Sequence, residues 1–181
     1  MDVYAENRSV VSELHQDGLT LRPIVRGDAD AIVSALSQWR VTRWLTSAPF
    51  PFGYENAIYF IDEIANAKGE PFWGIDWGSG LIGVISVKPD LGYWLHPDHH
   101  GKGTMSRAVA MACDHHFEGP YSELVSGHFL GNEPSRAVLL KAGFEDTHQE
   151  EAVQLSTEKT VVIQRMTLTR DRWQTLRSQA Q

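Results

Sequence analysis

The residues best suited to chemistry lie between Leu91 and Val109, LGYWLHPDHHGKGTMSRAV: an apolar strand, a proline, a glycine-flanked lysine and an amphipathic helix. A strand that turns through glycines into a helix start brings a row of backbone N–H groups to one place. Gly101 and Gly103 let the backbone approach a ligand closely, and the N–H groups of Gly101, Lys102, Gly103, Thr104 and Met105 lie at the positive end of the helix dipole, where a diphosphate can bind. Lys102 or Arg107 would add charge. The same glycines equally serve a plain tight turn, so this segment alone does not decide between the two. Spacing excludes two other phosphate loops. A Walker A loop needs a glycine where His96 stands, and a dinucleotide G-x-G-x-x-G loop needs its third glycine where Ser106 and Arg107 stand.

A second segment, GNEPSRAVLLKAGF at residues 131–144, ends a strand near Asn132, carries a helix with Pro134 in its first turn, and stops it at Gly143. Together the two segments resemble the GNAT superfamily of acyl-CoA-dependent N-acetyltransferases. Within it they resemble the RimJ/RimL-like branch, whose members carry similar GYWL-P-x-x-x-GKG-x-M and N-x-x-S-x-x-x-L-x-K-x-GF runs. The likeness continues more weakly through LTLRP at residues 19–23 and the Pro49-to-Pro51 loop, so it covers the chain from about residue 18 to residue 168.

The resemblance implies a mixed α/β (α+β) domain with a mostly antiparallel central sheet flanked by helices. In it the strand carrying Tyr93, Trp94 and Leu95 splays from the strand carrying Val125 to Phe129. Acetyl-CoA, the co-substrate, would lie in that wedge. Its pantetheine would run along Trp94, Leu95, His96 and Pro97, and its diphosphate along His100 and the amides from Gly101 to Met105. Asn132 and Ser135 would face the pantetheine or thioester end, and Arg136 would meet a phosphate. A homodimer is also compatible with the family. Two positions depart from its pattern. His100 stands where many members have Gln or Arg, and Leu139 stands where many relatives outside the branch place a tyrosine acid.

The implied reaction asks little of side chains. An amine must lose a proton and attack a thioester carbonyl, and a fixed N–H near Leu95 must meet the developing oxyanion. An aliphatic amine, with a pKa of about 10, needs a base more than an α-amine, at about 8. Asp90 is the candidate base, directly or through water, or else a turn residue after Pro89. Ser135 is the candidate that orients or reprotonates the thiolate, or else an ordinary first-turn residue. The expected function is acetyl transfer in a ternary complex to a protein N-terminal α-amine or to a small-molecule amine. The alternative, kept open by the absent tyrosine acid, is a non-catalytic acyl-CoA-binding sensor or regulatory module. A phosphate binder of the sugar-nucleotide kind would require the second segment to be coincidence.

The run WLTSAPFPFGY at residues 44–54 has loop chemistry with an unusual apolar load, and in a GNAT domain it would wall the acceptor side. Trp44, Phe50, Phe52, Tyr54 and Trp73 are the expected acceptor residues, with His128 nearby. These favour an amine with an apolar neighbour over a bare polyamine. No metal is expected, because His96, Asp98, His99, His100 and the His115-His116 pair match no zinc spacing and cysteine ligands are missing.

The elements that must position these residues can also be read. The chain has 181 residues, 42% hydrophobic and 22% charged, which suits one domain spanning 1–181 with an N-terminal extension over 1–17 and a tail from 170. A net charge of −7 argues against nucleic acid as the main partner. The single Cys113, an N-terminus without an apolar run and the lack of a transmembrane stretch lead to a cytoplasmic expectation, with no membrane partner. Strands are expected at Leu19–Ile24, Phe72–Trp77, Leu81–Lys88, Leu91–Leu95 and Leu124–Leu130, with a closing pair at Phe144–Val153 and Thr160–Leu168. The helices expected are one capped by Asp28 and running to Trp39, one over 55–67, one from Gly103 to Gly119-Pro120, and one before Gly143.

Overall fold

The computed structural model describes residues 11–67 and 72–179. Most of the expected N-terminal extension, residues 1–10, lies outside the described residues. The strands are β1 (Leu14–Gln16), β2 (Leu19–Arg22), β3 (Phe72–Asp76), β4 (Leu81–Ser86), β5 (Gly92–Leu95), β6 (Glu123–Phe129), β7 (Glu145–Gln154) and β8 (Lys159–Thr169). The α-helices are α1 (Ala29–Leu36), α2 (Trp39–Thr42), α3 (Tyr54–Tyr59), α4 (Thr104–Glu118), α5 (Glu133–Ala142) and α6 (Arg170–Gln179).

Strands β1 to β5 form an antiparallel sheet in sequence order, and β6, β8 and β7 form a second antiparallel sheet with β8 in the middle. One parallel bridge, Leu91 to Ser126, joins them. Helices cover both faces, giving a mixed α/β fold. On one side α4 and α5 pack over a core that includes Trp73, Ile75, Ile85, Val109, Leu139, Met166 and Leu168. The stripe Met105, Ala108, Val109, Ala112, Cys113 and Phe117 is wholly buried there, as its helical spacing requires. Burial pushes the Cys113 thiol pKa up, so it is an inert core residue. On the other side α1, α2 and α3 close a second core around Ile32, Leu36, Val41, Phe52, Ile61 and Val84.

Four local expectations are corrected. Asp28 precedes α1 but makes no side-chain cap, because its carboxylate is taken by Arg22, at 2.8 and 2.9 Å, and by the Val25 N–H. Trp39 opens a separate helix, α2, since Ser37 ends α1 and Gln38 is extended. The helix expected over 55–67 is α-helical only to Tyr59 and continues as a π-helix over Phe60–Ala65. A short β1 pairs with β2 through a turn at Asp17-Gly18, where no strand was expected. The tail is a helix, α6, anchored by buried Trp173.

Candidate active site

Strands β5 and β6 run side by side only at the Leu91–Ser126 bridge. There the Leu91 N–H donates to the Val125 carbonyl at 2.8 Å and the Ser126 hydroxyl donates to the Leu91 carbonyl at 2.8 Å. Beyond it no ladder joins them, which leaves an unpaired gap between Gly92–Leu95 and Gly127–Phe129. Peptide groups line both walls. The His96 N–H donates to Ile82 on β4, so the alternate residues Tyr93 and Leu95 turn their N–H and C=O groups into the gap. Val125 faces β5 in the same way, which aims Gly127 and Phe129 at the gap from the other wall. Such walls fit a chain that carries amides of its own.

The glycine turn lies beside the open end of the gap. Gly101 and Gly103 have φ values of 72° and 76°, and a Cβ at either would meet nothing within 4 Å. Gly103 is the N-cap of α4 and offers no side chain to it, so the first-turn N–H groups are left for a ligand. The nearby cations are already engaged. Lys102 donates to the Asp98 carbonyl at 2.7 Å, Arg136 pairs with Asp146 at 2.7 Å, and Arg107 lies over the Trp77 ring. Thr104 is buried and accepts from the Trp77 indole, and Met105 belongs to the core. The helix start therefore presents backbone N–H groups, with these three cations turned to other partners. His100 donates from Nε2 to the Leu95 carbonyl at 2.9 Å, and Asn132 spends its side-chain oxygen capping α5 at Ser135. His96 is held by Gln38, the residue before α2, 3.2 Å away, and Pro97 opens the short 3-10 turn after it. Trp94 leaves the wedge for the α1 side.

Ser135 has a partner that sequence reasoning missed. The Tyr93 hydroxyl reaches from β5 to Ser135 on α5, 3.0 Å from its hydroxyl and 3.2 Å from its carbonyl. Burial pushes the Tyr93 pKa up to about 12, against the opposing pull of the Ser135 hydrogen bond, so Tyr93 stays protonated at neutral pH. Its only sequence signal was its parity on the strand, which pairs it with Leu95 rather than Trp94.

Asp90 is not a free base. It pairs with Arg165 of β8, which also lies 3.6 Å from Glu150. Arg165 reaches it across Gly127, where a Cβ would meet the guanidinium at 3.3 Å. The pair ties the start of β5 to the second sheet.

The expected acceptor residues separate. Trp44 lines a cleft with Trp39, Arg43, Phe129, Leu130 and Gln154. Phe50 packs its edge on Trp39, and Tyr54 is exposed at the start of α3. Two are corrected: Phe52 is buried in the second core, and Trp73 is fully buried against His115 with its indole donated to the Ser12 carbonyl. His128 is buried on β6, with Nδ1 on the Phe129 carbonyl and Nε2 unpartnered among the described residues. No group of metal-ligating side chains, and no helix long and apolar enough to cross a membrane, occurs among the described residues.

Two sheets joined at one bridge, beside a glycine-capped helix start, define a mixed α/β fold. Residues 18–145 match the family described as Acetyltransferase (GNAT) domain. The chain is 31% identical over 153 residues to Uncharacterized N-acetyltransferase YoaA of Bacillus subtilis (strain 168), covering 73% of this chain and 82% of that protein. Among solved structures it resembles the microcin C7 self immunity acetyltransferase MccE, in complex with acetyl-CoA and AMP. The TM-score is 0.74 at 17% identity, over 85% of this chain and 93% of that one. It also resembles Mycobacterium smegmatis RimJ in complex with CoA-disulfide, with a TM-score of 0.70 at 18% identity over 89% and 87% of the two chains. The chain belongs to the GNAT acetyltransferase family and is an acetyltransferase.

Proposed function

We propose that the protein is an acetyl-CoA-dependent N-acetyltransferase of the RimJ/RimL-like branch. It acts as one cytoplasmic domain and transfers acetyl to a primary amine, an N-terminal α-amine or a small-molecule amine, in a ternary complex. The observation that carries this reading is the gap between β5 and β6, walled by peptide groups and ending beside the uncapped start of α4. The RimJ complex with CoA-disulfide and the two matching sequence runs support the branch.

Acetyl-CoA supplies the activated acyl thioester. The first-turn N–H groups of α4 and the Gly101-to-Gly103 turn hold its diphosphate. Tyr93 and Leu95 offer the N–H groups that pair with the pantetheine and meet the oxyanion. Ser135 donates its hydroxyl proton to the departing thiolate and takes back, through water, the proton the amine gives up, while Tyr93 holds the Ser135 oxygen by donating to it. Asp90, ion-paired as it is, fixes the closed end of the wedge, and the amine loses its proton to water.

The test is calorimetric titration with acetyl-CoA and desulfo-CoA, followed by free-thiol release across peptides, aminoglycosides and polyamines. Binding with amine-dependent release is the expected result. Binding without release under every amine would make the chain a sensor, and no binding would overturn the wedge assignment.

A further inference from the structure

We propose that the cleft between α2 and the β6–β8 sheet holds the acceptor, and that this acceptor is a primary amine on a flat apolar body whose far end carries a carboxylate. The inference rests on the transferase reading and names its acceptor class. The cleft is a groove open to solvent with a volume of about 360 Å³, room for one aromatic ring with short substituents. Its walls include Trp39, Trp44 and Phe129, and Trp44 meets Phe129 edge-on at 6.4 Å. Three rings facing one small volume select a flat apolar body.

The cleft opens on the reaction. Phe129 and Leu130 end β6 at the open end of the wedge, and Gln38, the residue before Trp39, touches His96 at the end of β5. The α2 side of the sheet is the one opposite α4 and α5, so an amine entering here reaches the gap from the face away from the helix start proposed to hold the diphosphate. The walls are also fixed in advance. Gln154, 4% exposed, donates to the carbonyls of Arg43 at 3.0 Å and Leu45 at 3.2 Å, and the Leu155 N–H donates to Thr46 at 2.8 Å. The tip of the β7–β8 hairpin thus clasps the chain that leaves α2, and no loop needs ordering on binding.

Charge sets the polarity of the ligand. Arg43 is exposed, lies over the Trp44 ring at 4.6 Å and makes no ion pair among the described residues. Deeper on the same sheet face, Arg165 stands opposite Gly127, two residues before Phe129, with both Asp90 and Glu150 upon it. Two carboxylates on one guanidinium leave a negative excess toward the closed end, while Arg43 leaves a positive charge at the mouth. An ammonium therefore points inward to the thioester and a carboxylate outward to Arg43. In a chain of net charge −7, this local cation is what makes an anionic acceptor admissible.

The experiment compares 4-(aminomethyl)benzoate with 4-(aminomethyl)benzamide, whose benzylic amines have similar basicity and which differ in the charge at the far end. Thiol release is measured for wild type and Arg43→Gln, with spermidine as a third acceptor. Tryptophan fluorescence titrations of both probes are run in the presence of desulfo-CoA. The expected result is a kcat/KM about tenfold higher for the acid in wild type, near parity in R43Q, and unchanged CoA affinity. Parity in wild type, a faster amide, faster spermidine, or a preference that survives R43Q would overturn the proposal. Arg43-dependent binding of the acid without thiol release would uphold the cleft and overturn the transferase reading instead.

Discussion

The two sides of the wedge are built from different materials. On the α4 and α5 side the groups proposed to recognise the cofactor are peptide N–H and C=O groups, presented by a strand, a glycine turn and a helix start that follow one another between residues 91 and 109. On the α2 side they are side chains gathered from α2, the end of β6 and the hairpin β7–β8, over a hundred residues apart in the case of Arg43 and Gln154. Backbone recognition is tied to local geometry and depends little on neighbouring side chains. Side-chain recognition exists only after the sheet has closed.

The largest expected effect breaks the chemistry at the junction of the two sides. Ser135→Ala should lower kcat by about 100-fold with the CoA affinity unchanged, because proton transfer to the leaving thiolate is lost and the cradle is not. Tyr93→Phe should cost about tenfold, since the Ser135 hydroxyl stays but loses the group that orients it. Stopped-flow thiol release separates the two. Tyr93 also sets an alkaline limit. Its folded pKa, about 12, lies above the ordinary value near 10. Its contribution to stability is therefore complete below pH 10 and is lost as the pH rises toward 12, a loss that Y93F should not show.

Next in size is a change that loosens only the acceptor side. Arg22 holds Asp28, just before α1, and Asp76 on β3, at 2.8 Å each, with all three side chains at most 20% exposed. This anchor fixes where α1 and α2 begin. Asp76→Asn should cost about 2 kcal/mol and raise hydrogen exchange in α1 and α2 while sparing α4 and α5. Burial opposes the Asp76 charge, but hydrogen bonds from Arg22 and from the Gly78 and Gly80 N–H groups prevail and hold its carboxyl pKa below the usual value. That contribution is present above the ordinary carboxylate value near 3.9 and is lost as the pH falls below it. The gap between wild type and D76N in denaturant midpoint should accordingly narrow below pH 4.

A smaller effect sharpens the claim that the cofactor side is backbone. Gly103→Val fits sterically, since nothing lies within 4 Å, but a β-branched residue is strained at a φ of 76° and its methyls fill the cradle. CoA affinity should fall about tenfold, while the fluorescence-detected affinity of the acceptor cleft should not change. Equal losses at both sites would mean that the two sides are not separable.

This division also explains what was legible in the sequence. The helical stripe from Met105 to Phe117, the strand alternations and the Gly143 stop each follow from residues within one element, whereas the wedge was implied by the family resemblance that two such runs carry. Asp28 misled because a local capping signal lost to Arg22, which the strand order brings beside it. Trp73 and Phe52 carry the same aromatic signal as Trp44, yet strand parity turns Trp73 under α4 and the second core claims Phe52. Arg43 had no signal at all, since its meaning comes from Trp44 beneath it and from a glutamine on a distant hairpin.

The smallest prediction concerns Asp90, where local sequence and tertiary contact disagree most directly. Placed after Pro89 at the head of β5, it has the position of a base. Its partner Arg165 lies 75 residues away and is reached only because Gly127 leaves the path over β6 open. The Asp90 carboxylate is engaged by the Arg165 guanidinium, and the pair is partly solvent-exposed, which limits its energetic worth. Asp90→Asn should therefore cost less than about 1 kcal/mol in denaturant midpoint. It should leave kcat within about threefold of wild type and the acidic limb of the pH–rate profile unmoved, because no essential base is removed. A loss of two orders of magnitude, with that limb abolished, would return Asp90 to the chemistry. The negative excess around Arg165 would then be the device that deprotonates the amine rather than the one that orients it.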